Sequence, residues 1–271
     1  MPELPEVETT CRGIEPHLIG QKITDVIVRN TRLRYLVDKT IKKILTGLII
    51  QKVSRKGKYI VLLCSGGAVI IHLGMSGSLR LSSLHEAPGA HDHIDVLLAN
   101  GQLLRYCDPR RFGLFMWVDE PIDQHKLFSR MGVEPLSEQF DAAYLYAQSR
   151  RRSLAVKQFI MNNQIVLGVG NIYASESLFR AGLHPLRAAN RISKQRYSIL
   201  VEEIKKVLNE AIAAGGTTLR DFVGGDGKPG YFKFALRVYG RAGEPCLQCG
   251  SDIKSCRQGA RATYYCSKCQ R

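Results

Sequence analysis

The first eight residues, Met-Pro-Glu-Leu-Pro-Glu-Val-Glu, combine groups that together could carry out covalent catalysis. Removal of the initiator methionine would expose Pro2 as an N-terminal secondary amine, next to Glu3 and four residues before Glu6. An α-amino group has an ordinary pKa of about 8, against about 10.4 for lysine, so more of it is neutral and nucleophilic at neutral pH. Such an amine can attack a sugar carbon and be held as an iminium, which is Schiff-base catalysis. Because chain ends are usually loose and inert, this interpretation depends on the motifs that follow.

Four cysteines in the last 26 residues have the spacing of a metal site. They form two Cys-x-x-Cys pairs, Cys246/Cys249 and Cys266/Cys269, with sixteen residues between the pairs. This spacing is typical of a tetrahedral zinc ribbon and favours zinc over disulfides in a reducing compartment. Four thiolates leave no open coordination position, so the predicted Zn²⁺ is structural. Arg261 stands at the turn between the pairs, where its guanidinium could read a phosphate.

Two further segments carry groups suited to nucleic acid. Residues 54–59, Ser-Arg-Lys-Gly-Lys-Tyr, place three basic side chains around a glycine, although a solvated turn would look the same. Residues 108–113, Asp-Pro-Arg-Arg-Phe-Gly, combine guanidinium groups with an aromatic ring, which suits phosphate contact and wedging between bases. His91 and His93 alternate without a third ligand nearby, so loop or anion contacts are favoured over a metal.

The glycine-rich segment 167–179 is superficially similar to a dinucleotide-binding loop. Tyr173 stands in the place of the third glycine, and a helix precedes the segment where a strand is required, so that interpretation fails. A glycine-rich turn that opens a helix still offers backbone N–H groups to a phosphate, and Asn171 adds a side-chain donor.

The net charge of the chain indicates a polyanionic partner. Lys and Arg total 39 against 24 Asp and Glu, a formal charge of +15. Residues 1–125 carry 16 basic and 13 acidic side chains, whereas residues 126–271 carry 23 and 11, so most of the excess lies in the C-terminal part. No signal peptide is visible, and the uncharged stretch Tyr59–Leu79 is interrupted by Ser-Gly-Gly and contains a histidine. We therefore interpret it as two buried strands, and we expect a cytoplasmic protein without a membrane span.

The periodicity of the apolar residues predicts two kinds of structure. Residues 4–19 have helical spacing and end at Gly20, and residues 22–119 are rich in strands, with Asn100-Gly101 as a hairpin signal. Several helices are expected over residues 123–221, the clearest at Ser193–Ala214. The predicted fold class is therefore α+β, with an N-terminal β-sandwich or barrel flanked by helices.

The motifs PELPEVE, RKGKY, DPRRFG, GVGNIYASESLF and the four-cysteine ribbon together resemble bacterial formamidopyrimidine-DNA glycosylase, over essentially the whole chain. The resemblance implies a monomeric, bifunctional base-excision repair enzyme that removes oxidised purines and then nicks the strand at the abasic site. It also implies an N-terminal β-sandwich domain (1–120), a helix-two-turn-helix domain (121–235) with a loop at 224–231 that covers the flipped base, and a zinc finger (236–271).

The resemblance also implies roles for individual residues of this sequence. Pro2 would be the nucleophile, Glu3 the general acid and Glu6 the support of the terminus, while Lys58 and Arg261 would act in β- and δ-elimination. The residues expected to contact DNA or fill the gap left by the flipped base are His91, Arg110, Arg152, Asn171, Lys157, Met75 and Phe112.

Three other interpretations fit part of the sequence. A sibling enzyme of the endonuclease VIII class would share the terminal proline and the finger but would prefer oxidised pyrimidines. The Met75/Arg110/Phe112 set and the long 224–231 loop favour the purine enzyme. A non-catalytic zinc-ribbon DNA-binding module, or a structural protein with an incidental zinc clip, would leave Pro2-Glu3 unexplained.

Overall fold

A computed structural model of the chain describes residues 2–217 and 236–271, which form two compact units. The first unit contains residues 2–129 and 212–217, and the second contains residues 130–211 and 236–271. The predicted loop at 224–231 lies outside the described residues.

The N-terminal helix α1 spans Leu4–Leu18. Its apolar stripe, which includes Val7, Cys11 and Ile14, is buried, and Gly20 follows with φ +79°. A left-handed residue of this kind ends a helix at low cost only when it is glycine. The helix predicted over residues 4–19 is confirmed.

Two four-stranded antiparallel sheets make up most of the first unit. One contains β1 (Ile23–Val28), β6 (Asp92–Leu98), β7 (Gln102–Cys107) and β5 (Ser78–Ser83), in that order. The other contains β2 (Ile50–Lys56), β3 (Tyr59–Cys64), β4 (Gly67–His72) and β8 (Leu114–Val118), in that order. Residues from both sheets, from α1 and from the short helix α2 (Ile41–Leu45) form one hydrophobic core. The predicted β-sandwich with flanking helices is therefore confirmed.

Both hairpin predictions are confirmed. The uncharged stretch that begins at Tyr59 forms β3 and β4, which pair in register from Tyr59↔His72 to Cys64↔Gly67. Asn100 and Gly101 (φ +80°) connect β6 to β7. Among the described residues, no helix has both the length and the apolar composition to cross a membrane.

The second unit is mainly helical, as predicted. It contains α3 (Ala142–Ser149), α4 (Val156–Ile160), α5 (Asn171–Arg180), a 3₁₀ turn at Ala189–Arg191, and most of α6 (Lys194–Ala213). The end of α6 is marked by Gly215 and Gly216, with φ of +75° and +85°. Helices α5 and α6 are joined by a bidentate ion pair in which Arg180 donates to Glu210 at 2.8 and 2.6 Å.

A two-stranded hairpin near the C-terminus completes this unit. Strands β9 (Lys254–Gln258) and β10 (Arg261–Tyr265) pair antiparallel, with Gly259 at φ +58° in the turn. Phe179 of α5 packs with Val238, Ile253 and two of the C-terminal cysteines, so the hairpin region shares a small core with the helices.

Candidate active site

The N-terminal residues are held in place rather than frayed. Pro2, Glu3 and Glu6 are all buried. The Glu6 side chain folds back so that Oε2 accepts from the N–H of Glu3 at 2.8 Å, while Oε1 accepts from the N–H of Thr217 at 2.8 Å. One carboxylate therefore fixes the first turn of α1 and the backbone just beyond α6. The surroundings of Pro2 have the order that a catalytic terminus needs.

An ion-pair cluster joins α1 to the turn that carries Lys58. Arg55 Nε donates to Glu8 Oε2 at 3.0 Å, and Arg55 Nη1 donates to the carbonyl of Gly57 at 2.9 Å. Burial alone would raise the pKa of Glu8, but bonds from Arg12 and Arg55 outweigh it and hold the pKa below its ordinary value. The turn between β2 and β3 is thereby tied to the helix that follows the terminal amine, and it leaves Lys58 almost completely buried.

Two exposed side chains project from neighbouring turns of the first unit. Met75 is 41% exposed and Phe112 is 48% exposed. Their turns touch backbone to backbone, since a Cβ at Gly74 would lie 2.7 Å from the amide nitrogen of Gly113. The Arg110 guanidinium carbon lies 4.9 Å from the centre of the Phe112 ring. An apolar pair with a cation beside it can fill a vacated position in a base stack.

The buried carboxylate of Asp108 organises the turn that presents Arg110 and Phe112. Its Oδ2 accepts from the N–H of Gly113 at 2.8 Å and from the Tyr106 hydroxyl at 3.2 Å, and its Oδ1 accepts from the N–H of Arg110 at 3.3 Å. Gly113 is required here because a Cβ would lie 1.8 Å from the Tyr106 hydroxyl. The motif at residues 108–113 is therefore a compact turn whose acidic first residue holds the rest.

His72 is a functional candidate that the sequence interpretation missed. It lies opposite Tyr59, with ring centroids 4.8 Å apart, and its Nδ1 accepts from the N–H of Gly74 at 3.0 Å. Burial, followed by the charges of Lys58 and Arg34, lowers its pKa to about 4. The ring is therefore neutral at neutral pH and supports the turn before Met75. Only the cross-strand register of β3 and β4 reveals this, because a single histidine in an apolar run carries no such signal.

The two alternating histidines have different surroundings. His93 is buried, and its Nε2 lies 2.8 Å from the carbonyl oxygen of Asp108. His91 is exposed, and its carbonyl accepts from the N–H of Asp108 at 3.0 Å. This arrangement leaves the His91 ring available for an anion, and within the described residues neither histidine joins a metal-binding cluster.

In the second unit, Arg261 follows the β9–β10 turn. Together with Lys157 and Asn171 it helps to line a cavity of about 260 Å³. Lys157 is only 1% exposed, and its Nζ donates to the carbonyl of Ala262 at 3.1 Å and to Thr263 Oγ1 at 2.8 Å. Asn171, the first residue of α5, donates from Nδ2 to the same Ala262 carbonyl at 3.0 Å. Both side chains thus hold the strand that begins at the exposed Arg261.

Arg152 lies apart from this cavity lining. It follows α3 and donates from Nε to the carbonyl of Gln148 at 3.1 Å. The predicted residues are thus divided between the units: Pro2, Glu3, Glu6, Lys58, Met75, His91, Arg110 and Phe112 belong to the first, and Arg152, Lys157, Asn171 and Arg261 to the second.

The four cysteine thiols meet in one cluster, as predicted. The Sγ atoms of Cys246, Cys249, Cys266 and Cys269 all lie within 4.8 Å of one another, with separations of 3.9 Å for Cys246–Cys269 and 3.5 Å for Cys249–Cys266. Tetrahedral Zn²⁺ with bonds of about 2.3 Å requires sulfurs about 3.8 Å apart, whereas a disulfide requires about 2 Å. The site fits one zinc ion, and Cys256 is not part of it.

Three family models match the chain in succession. The formamidopyrimidine-DNA glycosylase N-terminal domain matches residues 1–115, and the formamidopyrimidine-DNA glycosylase H2TH domain matches residues 131–223. A zinc finger found in FPG and IleRS matches residues 243–271. The fold expected from the sequence motifs and the observed fold agree with this order.

Curated relatives match over their full length. The chain is 56% identical to formamidopyrimidine-DNA glycosylase of Stutzerimonas stutzeri over 271 residues, covering 100% of both chains. It is 54% identical to the enzyme of the same name from Methylococcus capsulatus, again covering 100% of both.

Solved structures with the same fold include complexes with DNA. Wild-type Lactococcus lactis Fpg bound to DNA that contains N7-benzyl-Fapy-dG has a TM-score of 0.92 and 33% identity, with 100% of both chains covered. The same protein bound to abasic-site DNA has a TM-score of 0.91 and 33% identity, with 99% of both covered. The MutM (Fpg) protein from Thermus thermophilus has a TM-score of 0.89 and 35% identity, with 99% of this chain and 98% of that chain covered.

Proposed function

Because the chain belongs to the formamidopyrimidine-DNA glycosylase family, we propose that its chemistry begins at the amine of Pro2, exposed when Met1 is removed. The enzyme is a bifunctional DNA glycosylase and abasic-site lyase of base-excision repair, with one structural zinc ion. It acts on duplex DNA that carries oxidised purines. Both larger domain models that match the chain are those of formamidopyrimidine-DNA glycosylase, which favours the purine interpretation over the endonuclease VIII-like alternative.

The proposed first step is a displacement at the sugar. The Pro2 nitrogen attacks C1′ of the damaged nucleoside, the glycosidic bond breaks, and its electron pair leaves with the base. Glu3 supplies a proton to the leaving base or to O4′ of the sugar. The Pro2 nitrogen loses its proton, the C1′–O4′ bond breaks with its electron pair passing to O4′, and the ring-opened sugar is held as an iminium. The damaged base must leave the stack before C1′ can be reached.

Strand scission follows in two eliminations. The iminium makes the adjacent C2′ proton acidic, so its loss expels the 3′ phosphate, and a second elimination expels the 5′ phosphate. We assign Lys58 to the first elimination and to binding of the nearby phosphate. Arg261 is assigned to the second elimination, where its guanidinium neutralises the leaving phosphate. Lys157 and Asn171 hold the Ala262 carbonyl next to Arg261, which supports this assignment.

The remaining residues would hold the distorted duplex. Met75, Arg110 and Phe112 would fill the gap in the base stack, with the Arg110 guanidinium beside the Phe112 ring. His91, Arg152 and Asn171 would contact phosphates, which do not carry sequence information but fix the register of the DNA. A monomer in the bacterial cytoplasm is expected, and we keep the division at residues 1–120, 121–235 and 236–271 as the proposed domain boundaries.

One observation carries the proposal for the terminus: Glu6 fixes the N–H of Glu3 through a 2.8 Å hydrogen bond in a buried environment. The test is excision on matched duplexes that carry 8-oxoguanine or an oxidised pyrimidine, with the N-terminus sequenced to establish that Met1 is absent. We expect faster excision of 8-oxoguanine and no excision by Pro2→Gly. Preference for the pyrimidine would favour the endonuclease VIII-like alternative, and excision by protein that retains Met1, in which Pro2 has no free amine, would reject the terminal nucleophile.

A further inference from the structure

A network of buried charges lies beneath the segment that carries His91. The segment is the loop of residues 84–91, which connects β5 to β6. All eight of its residues are exposed, including Leu84. Because no side chain of the loop enters a core, burial of apolar groups cannot fix its position. Polar contacts from the sheet below must do so.

Arg105 of β7 makes the central contacts of this network. Its side chain is almost completely buried and forms a bidentate pair with Asp95 of β6, with Nε–Oδ1 at 2.8 Å and Nη2–Oδ2 at 2.9 Å. Its remaining terminal nitrogen, Nη1, donates to the loop carbonyls of Glu86 at 3.1 Å and Ala87 at 3.4 Å. A planar guanidinium can hold a carboxylate on one edge and two carbonyls on another, which an ammonium cannot do.

The other end of the loop is fixed by Asp92. Its Oδ2 accepts from the N–H of Gly89 at 2.8 Å, and Arg80 holds the same carboxylate at 3.2 and 3.1 Å. The carbonyl of His91 itself accepts from the N–H of Asp108 at 3.0 Å. His91 thus lies between the buried charges and the turn that presents Arg110.

We propose that Arg105 is a positioning residue for DNA binding, which holds the loop 84–91 so that His91 meets a phosphate of the duplex. This inference rests on the DNA contact proposed above for His91. Arg105 lies too deep to touch the DNA, so its whole effect on binding passes through the loop.

Arg29 provides a matched control in the same network. It donates to Asp95 Oδ2 at 2.6 Å and more weakly to the carbonyl of Asp92 at 3.5 Å. It makes no hydrogen bond to residues 84–91, all of which the structure describes. Loss of either arginine disturbs the buried carboxylate Asp95, but only loss of Arg105 releases the loop carbonyls.

The experiment compares Arg105→Lys, Arg29→Lys, His91→Ala and the double variant Arg105→Lys/His91→Ala. Each is first checked for its melting temperature and zinc content. Binding to a duplex with a non-cleavable abasic analogue is measured by fluorescence anisotropy over a range of salt concentrations. Single-turnover excision of 8-oxoguanine is measured with the enzyme in saturating excess, so that weaker binding does not enter the rate.

We expect Arg105→Lys to weaken DNA binding about fivefold, as for the loss of one hydrogen bond. His91→Ala should do the same, the double variant should bind no worse than His91→Ala, and Arg29→Lys should bind like wild type. The saturated excision rate of Arg29→Lys should stay within about twofold of wild type, because this change leaves the proposed DNA contacts and the chemical groups untouched.

Three outcomes would overturn the inference. If His91→Ala weakens binding and Arg105→Lys does not, Arg105 has no positioning role, while the proposed DNA contact stands. If the two effects add in the double variant, Arg105 acts by another route. If His91→Ala itself binds like wild type, the proposed contact of His91 is wrong and the inference falls with it.

Discussion

Glu3 and Glu6 are joined by a hydrogen bond of 2.8 Å from the N–H of Glu3 to Oε2 of Glu6. The bond fixes the start of α1 and, with it, the backbone next to Pro2. Oε1 of Glu6 also accepts from the N–H of Thr217, so the same carboxylate ties the start of α1 to Thr217. A nucleophile at a chain end gains catalytic power only if its approach to the sugar is fixed, so Glu6 is expected to matter for rate without touching the DNA.

Replacing Glu6 with glutamine therefore tests whether this carboxylate positions the N-terminal amine. The amide keeps the size of the side chain but loses one of the two acceptors and the negative charge. Since a hydrogen bond to a charged group contributes roughly 1.5–3 kcal/mol, we expect single-turnover excision to fall about 10- to 100-fold, with the affinity for an abasic analogue nearly unchanged. Glu15→Gln, on the same helix, is the matched control and should keep the wild-type rate. An unaffected Glu6→Gln enzyme would remove this role.

The stability of the protein should fall in mild acid because of His72. Its folded-state pKa of about 4 lies below the ordinary value of 6.5, so the unfolded chain binds the extra proton first. Stability that is present above pH 6.5 is therefore lost as the pH falls towards 4, at about 1.4 kcal/mol per pH unit.

Urea unfolding between pH 7 and pH 4.5 measures this loss. The variant His72→Gln should lose less stability over that interval than wild type, by roughly 2–3 kcal/mol. The Gly74 N–H, which donates to Nδ1 of His72, can still donate to the side-chain oxygen of the glutamine. Identical pH profiles for the two proteins would show that His72 is not the titrating group.

Two cysteine variants separate the zinc site from the rest of the finger. Cys249→Ser removes one of the four clustered thiols, whereas Cys256→Ser changes a thiol in β9 that is outside the cluster. We expect elemental analysis to find one zinc ion per chain in wild type and Cys256→Ser, and much less in Cys249→Ser. Because metal binding and folding of such a site are coupled, Cys249→Ser should also lose at least about tenfold in DNA affinity. Full zinc content in Cys249→Ser would contradict the four-thiolate site.

Lys157 should control which elimination product accumulates. Its Nζ holds the Ala262 carbonyl and the Thr263 hydroxyl next to Arg261. Lys157→Met removes both bonds and leaves a buried carbonyl without that donor, so it should shift the products from δ- towards β-elimination. Thr263→Val removes one bond and should give a smaller shift in the same direction. Sequencing gels resolve the two products, and an unchanged ratio in both variants would reject this role.

The sequence predicted the elements that depend on local patterns. Helix α1, the hairpin at Asn100-Gly101 and the cysteine cluster each follow from spacing within one short stretch. Contacts that depend on the exact register of paired strands, or on a side chain that reaches another segment, were not predictable in this way. The pairing of Tyr59 with His72 is one example, and the reach of Arg105 to two loop carbonyls is another.

The predicted residues also differ in how directly they can act. Met75 and Phe112 are exposed on adjoining turns, as their proposed role requires. Lys157 was predicted to contact DNA, and that contact stays a prediction. In the structure its amine is buried and holds the backbone next to Arg261 through the Ala262 carbonyl and the Thr263 hydroxyl. No local pattern in the sequence records a contact between segments so far apart in the chain.

The most direct test of the central claim is to trap the covalent intermediate. The Met1-processed protein is incubated with a duplex that carries 8-oxoguanine opposite cytosine, borohydride is added, and the adduct is located by peptide mass. Reduction of the iminium fixes the bond between the amine and C1′, so we predict an adduct that maps to Pro2 and is absent from Pro2→Gly. An adduct on a lysine, or DNA binding without any adduct, would contradict catalysis by the terminal proline.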